Sequence, residues 1–366
     1  MSSLVKKLKD TVTGHSDTSS RNSRHRAAVL YYKGEHLKIE SRKTPAPGPN
    51  DILIEVKAIA LNPIDYYQRD MGFALSSYPV VIGSDIGGIV TSHGSSVPSS
   101  APKPGTRVAA FAPTFHLQGE PDRGAFQEKA LIPASLVTPI PDKMSFDEAA
   151  MMGMAIVTAW TGWWAIGMPL ETDPSMYATD KKALLVWGGS SSVGSAAVQT
   201  ARWMGYTVYA TASEKNHEYL KSLGARDVFD YKKKDVVDSI IKTAKADGVR
   251  IDYAYDTAGA SAQITEVLKA SKGGRIAKVA EAVPLSGNEA KVDGVDVTFV
   301  TASQDEKERD AMFSFIMNKW LTDKLALGEF VPSPHLEVIE GGLDALNKGL
   351  DKLKAGVSGT KLVVEL

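Results

Sequence analysis

The stretch 184–205, LLVWGGSSSVGSAAVQTARWMG, constrains the fold more than any other. An apolar run, 183–187, ends in Gly188 and Gly189. Ser190, Ser191, Ser192, Val193 and Gly194 follow, then a run of small residues that fits a close-packed helix. A buried strand, a tight turn and a helix start, in that order, make a corner that can hold a phosphate. Glycine lets the chain turn and lets an anion approach the backbone amides. The helix start adds unpaired N–H groups and the positive end of its dipole. The pattern departs from G-x-G-x-x-G, because Ser191 stands at the middle glycine when the count starts at Gly189. A plain Gly/Ser loop would look similar, so the neighbouring segments decide.

Those segments repeat one theme. Residues 206–211 (YTVYAT), 227–231, 251–257 (IDYAYDT) and 275–280 read as short β-branched and aromatic strands, and 216–223 reads as a helix stopped by Gly224. Strands alternating with helical segments predict parallel βαβ units in a doubly wound α/β sheet. The glycine corner falls on the first strand of the series, where a dinucleotide fold needs it. A site for NAD places an acid at the end of the second strand, to accept from the ribose 2′-OH. Here that strand runs into Ser213 and Lys215, which suit a 2′-phosphate and predict NADPH. Glu214 carries the opposite sign, unless it opens the next helix, where a dipole favours an acid.

A chain of 366 residues is too long for one core, so two domains are expected. The net charge is -1, with no basic excess to hold nucleic acid or an anionic membrane. No run reaches the about eighteen apolar residues that span a bilayer. Cysteine is absent, which rules out disulfides, thiolate nucleophiles and Cys-ligated zinc.

Residues 1–26 are basic and Ser/Thr-rich and read as a flexible tail, with Leu4, Val5, Leu8 and Val12 on one thin apolar face. The expected location is cytoplasmic; a basic, Ser-rich start also suits a mitochondrial presequence. From 27 on, short strands at 27–32, 37–40, 51–61, 80–92, 106–113 and 124–132 predict a small twisted barrel. Ser145 with Glu148 is a capping box opening two helices over 145–165, whose Met and Trp residues read as interdomain core. Residues 306–327 read as helical, and 343–353 and 359–365 as a helix and strand returning to the barrel. The predicted domains are 27–155 completed by 328–366, and 156–327.

A barrel, a dinucleotide domain and a returning chain together resemble the medium-chain dehydrogenase/reductase superfamily. LNPIDYYQR (61–69) resembles the Asn-Pro-x-Asp segment of its zinc-free quinone oxidoreductase and enoyl reductase branch. IGSDIGGIV (82–90) stands where alcohol dehydrogenases carry Gly-His-Glu. GAFQEKALIPASLVTPIPDKMSFDEAA (124–150) and GVSGTKLVVEL (356–366) resemble the run into the interdomain helices and the final strand. The branch includes fungal trans-acting enoyl reductases. The resemblance implies a GroES-like barrel beside a Rossmann domain, and a homodimer as the common assembly. It places Asn62 and Tyr67 at the substrate. It places Thr158, Tyr231, Ala258 and Lys361 at the cofactor, with Tyr231 near the 2′-phosphate. Zinc-dependent members polarise a carbonyl with a metal; here Ser84 takes the His position and no Cys exists. Hydride addition to an already activated double bond needs less assistance. The expected reaction is therefore NADPH-dependent reduction of an enoyl compound or quinone, free or tethered to the carrier protein of a polyketide synthase. The proton donor is open: Tyr67, or solvent, since 71–73 holds no tyrosine. A nucleotide-binding protein without turnover is the alternative from another class.

Overall fold

The structure is a computed structural model that describes residues 23–116, 120–168, 182–283 and 292–366. Most of the predicted tail lies outside the described residues. The first strand, β1 (Arg24–Leu30), begins inside the segment read as tail, which corrects the boundary at 26. Its start is anchored by a buried side chain: His25 Nε2 lies 3.0 Å from Gln127 Oε1, and Nδ1 lies 3.2 Å from Thr44 Oγ1.

β1 pairs antiparallel with β2 (Lys38–Lys43) and with β4 (Val80–Val81). The main sheet of the barrel is built on β3 (Asp51–Ala60). It contacts β5 (Asp85–His93), β7 (Lys129–Pro133) and, from the far end of the chain, β16 (Thr360–Glu365). β6 (Arg107–Phe111) and β8 (Val137–Pro139) continue one side, and β15 (His335–Val338) pairs parallel with β16 on the other. The segment 80–92, read as one strand, is two. Between them Gly83 adopts φ +96° and packs so tightly that a Cβ would sit 2.1 Å from the Phe126 ring. That bend turns Ser84 and Asp85 into the interior, where both are fully buried.

The second domain is a parallel sheet of six described strands. They are β9 (Lys182–Trp187), β10 (Thr207–Thr211), β11 (Asp227–Phe229), β12 (Arg250–Asp256), β13 (Ala277–Glu281) and β14 (Val295–Phe299). Their order is β11-β10-β9-β12-β13-β14, the doubly wound Rossmann order with its reversal between β9 and β12. From Ala183 on β9 is wholly buried, as a central parallel strand must be. Helices α4 (Ser192–Trp203), α5 (His217–Leu223), α6 (Val236–Asp247) and α7 (Ser261–Ser271) follow β9 to β12 in turn.

α2 (Phe146–Ala150) and α3 (Gly153–Ala165) join the domains. The capping box forms as expected: Glu148 N donates to Ser145 Oγ, and Ser145 N donates to the Glu148 carboxylate. Trp160 and Trp163 of α3 are fully buried. Trp160 meets Trp203 and Trp320 edge to face at 5.9 and 5.3 Å, so the tryptophans do form core at the junction. Trp320 lies in a π-helical stretch, Phe315–Leu321, between α8 (Glu306–Ser314) and α9 (Thr322–Leu327). α1 (Pro63–Met71) follows β3, and α10 (Leu346–Ala355) packs against it.

Candidate active site

The glycine corner sits at the C-terminal end of β9. Gly188 turns with φ +82°. Its N–H donates to Thr211 Oγ1 at 3.0 Å, and Gly189 N–H donates to the Thr211 carbonyl at 2.9 Å, tying the turn to the end of β10. Ser191 is the N-cap of α4: its Oγ accepts from Gly194 N at 2.9 Å and donates to Thr257 Oγ1 at 3.0 Å. Thr257 Oγ1 in turn reaches the carbonyls of Trp187 and Gly188. Thr211 and Thr257 therefore hold the corner from both neighbouring strands. Neither was singled out in the sequence, although each ends a strand that was read.

The corner suits a pyrophosphate. The amides of Ser192 and Val193, the first two of α4, make no hydrogen bond among the described residues, as expected at a helix start. Gly194 packs where nothing larger fits: a Cβ there would lie 2.3 Å from the Gly188 carbonyl oxygen and 2.9 Å from Gly189 Cα. Ala258 lies across from Gly188, whose own Cβ would stand 3.0 Å from that of Ala258. The amides of Ala258, Gly259 and Ala260 all donate to Asp256. Ala258 can thus touch a ligand by its methyl group or carbonyl, not by its N–H.

At the outer end, β10 and β11 run in register with Thr211 beside Phe229. Ser213 and Tyr231 lie two residues beyond those partners. Ser213 is buried and its Oγ accepts from Asn216 Nδ2 at 3.2 Å, which leaves its hydroxyl proton to donate elsewhere. Lys215 and Tyr231 are exposed, and Lys232 Nζ stands 5.9 Å from the Tyr231 ring centre. Glu214 opens a 3-10 turn, Glu214–Asn216, ahead of α5.

On the barrel side the structure brings together two residues 299 positions apart. Lys361 Nζ donates to Asn62 Oδ1 at 2.6 Å and to Asp85 Oδ2 at 3.1 Å; Asn62 Nδ2 donates to the same carboxylate oxygen at 2.8 Å. Asp85 Oδ1 accepts from Met154 N at 2.6 Å, in the first turn of α3. The resemblance implied a cofactor contact for Lys361 and a substrate contact for Asn62. Both are buried, and their side chains hydrogen-bond each other and Asp85. Asp85 and Asp65 were missed, although both stand inside the quoted segments.

Thr158 lies one turn into α3 from that anchor. Its hydroxyl reaches back to Met154 Sδ at 3.4 Å, and its carbonyl accepts from Tyr255 OH on β12 at 2.7 Å. It sits where the two domains meet. Tyr67 is half-buried on α1, edge to face with Tyr66 at 4.5 Å. Burial, and next its contact with Tyr67, push the Tyr66 phenol up. Among the described residues no cluster of three or more His, Cys, Asp or Glu could hold a metal, and no helix is long and apolar enough to cross a membrane.

Comparison with known proteins agrees with this fold. The alcohol dehydrogenase GroES-like domain matches residues 48–142, and a family described as zinc-binding dehydrogenase matches 192–301. The trans-enoyl reductase tndF of Aspergillus flavipes is 47% identical over 344 residues, 93% of this chain and 99% of the relative. The trans-enoyl reductase tazE of Aspergillus terreus is 49% identical over 288 residues, 78% and 94% of the two chains. A quinone oxidoreductase of Pseudomonas syringae shares the fold, with a TM-score of 0.70 and 23% identity over 93% of this chain and all of the other. The chain belongs to the medium-chain dehydrogenase/reductase superfamily, as an oxidoreductase of its enoyl reductase branch.

Proposed function

We propose that the protein is an NADPH-dependent trans-acting enoyl reductase that saturates the C=C bond of an enoyl thioester carried by a polyketide synthase. The observation that carries this reading is the capped glycine turn, Gly188 to Gly194, with two free amides at the start of α4, in a chain nearly half identical to trans-enoyl reductases.

The Ser192 and Val193 amides, with Ser190, bind the pyrophosphate at the positive end of α4, whose start the N-cap Ser191 holds in place. Ser213 and Lys215 bind the 2′-phosphate, by hydrogen bond and by charge, with Tyr231 flanking it. Thr158 and Ala258 border the nicotinamide end. The chemistry a reduced nicotinamide would supply when bound between them is a hydride for the β-carbon of the enoyl thioester. Tyr67 protonates the α-carbon of the resulting enolate, its phenol being paired with Tyr66. Asn62 does not do so, because both ends of its amide are engaged.

The test is NADPH oxidation with enoyl thioesters on a carrier protein, free thioester mimics, enals and quinones. The reading requires turnover of the thioesters, faster on the carrier. Turnover of quinones alone, or cofactor binding without turnover of any of them, would overturn it.

A further inference from the structure

Beneath the first turn of α1 lies a buried cluster with one ammonium, Lys361, and two carboxylates, Asp85 and Asp65, none more than 2% exposed. Asp85 is fully engaged by Lys361, Asn62 and Met154 N. Asp65 is not. Its Oδ2 accepts from Asn62 N at 2.7 Å, but its Oδ1 has no partner. The hydroxyl of Ser84, which faces it, has none either. An unpartnered oxygen and an unpartnered hydroxyl side by side in a dry interior are costly. Asp65 is also the third residue of α1, directly before Tyr66 and Tyr67.

We propose that Asp65 is a positioning residue of the reductase site: its carboxyl, which accepts from the Asn62 amide and faces the Ser84 hydroxyl, fixes the first turn of α1 and with it Tyr67. The inference rests on the reading of α1 as the substrate-side helix. One ammonium offsets one anion, and that anion is Asp85. Burial foremost, then the charge of Asp85, push Asp65 up to about 8, against the pull of the Asn62 amide, Lys361 and Ser84. Those groups come from α1's own start, from β16, and from Ser84 and Asp85 at the start of β5. At neutral pH Asp65 therefore keeps its proton. Ionisation places a second anion against Asp85 with no second cation, and the repulsion between the two carboxylates, rather than loss of the Asn62 hydrogen bond, displaces the first turn of α1.

The experiment is the pH profile of kcat for the full chain and for Asp65→Asn, which keeps the shape and the acceptor for Asn62 N but cannot ionise. The expected wild-type profile has an alkaline limb centred near pH 8, well below the about 10 of a free phenol. The variant should lose that limb, whatever its absolute rate. The same limb in the variant overturns the proposal. Infrared spectroscopy of the wild type covers a variant that fails to fold, or an enzyme without enoyl reductase activity. A protonated-carboxyl C=O band that disappears near pH 8, together with a shift in tyrosine bands at the same midpoint, supports the proposal. Absence of either change overturns it.

Discussion

At Gly194 one methyl group decides whether a phosphate corner exists. A Cβ would press on the Gly188 carbonyl and on Gly189 Cα, backbone atoms that cannot move without opening the turn. Gly194→Ala should therefore abolish binding of NADPH and NADH alike, since the pyrophosphate is common to both. Titration of each cofactor, with circular dichroism to verify folding, checks it; unchanged affinity in a folded variant would remove the corner from the site. Lys215→Ala should act on one cofactor only, weakening NADPH by about 1.5–3 kcal/mol, the range for charge-assisted hydrogen bonds, while NADH binds as before. Equal losses for both would refute the 2′-phosphate assignment. These residues were legible because strand, turn and helix start are local in sequence. Asn62 and Lys361 were legible only as separate motif positions. Their mutual hydrogen bond depends on β16 lying against β3, and no local pattern encodes that pairing.

The elements were readable wherever a period was strong. β9, β10 and β12 are short apolar runs between turn signals, and the capping box marked α2. β14 and β15 were missed for a physical reason: VDVTF and HLEV are sheet-edge or partly exposed strands, without the apolar continuity of a central one. The split between β4 and β5 was also hidden, since its cause is the approach of the Phe126 ring to Gly83. That bend delivers Asp85 to the start of α3, where its carboxylate joins β5, β16, α1 and α3. Asp85→Ala should cost about 3–5 kcal/mol, the range for removing one partner of a buried ion pair, because Lys361 is left charged and unmatched. Urea unfolding monitored by circular dichroism measures it. A loss below about 1 kcal/mol would mean that the four elements are held without Asp85.

Over the whole molecule, two buried carboxyl groups, one in each domain, bias stability in the same direction. Asp65 is pushed up to about 8 in the barrel. Glu281, at the end of β13, is also pushed up to about 8, by burial first and then by Asp256, whose carboxylate already collects three backbone amides. In the unfolded chain both ionise near pH 4. Between about pH 4 and 8 the folded protein thus holds protons that the unfolded chain has released, and stability falls as pH rises through that window. His116 opposes this only in acid. Burial lowers it to about 4, so it costs stability below its ordinary value of 6.5 and is silent above it. From pH 6.5 to 8 the carboxyl groups prevail. The urea midpoint should therefore drop across that interval and level off above it. Glu281→Gln should shallow the drop by removing one of the two retained protons, and Asp65→Asn should remove the other. A midpoint that holds steady or rises from pH 6.5 to 8 would show that both groups are already ionised in the folded protein, and that the dry surroundings read for them do not exist in solution.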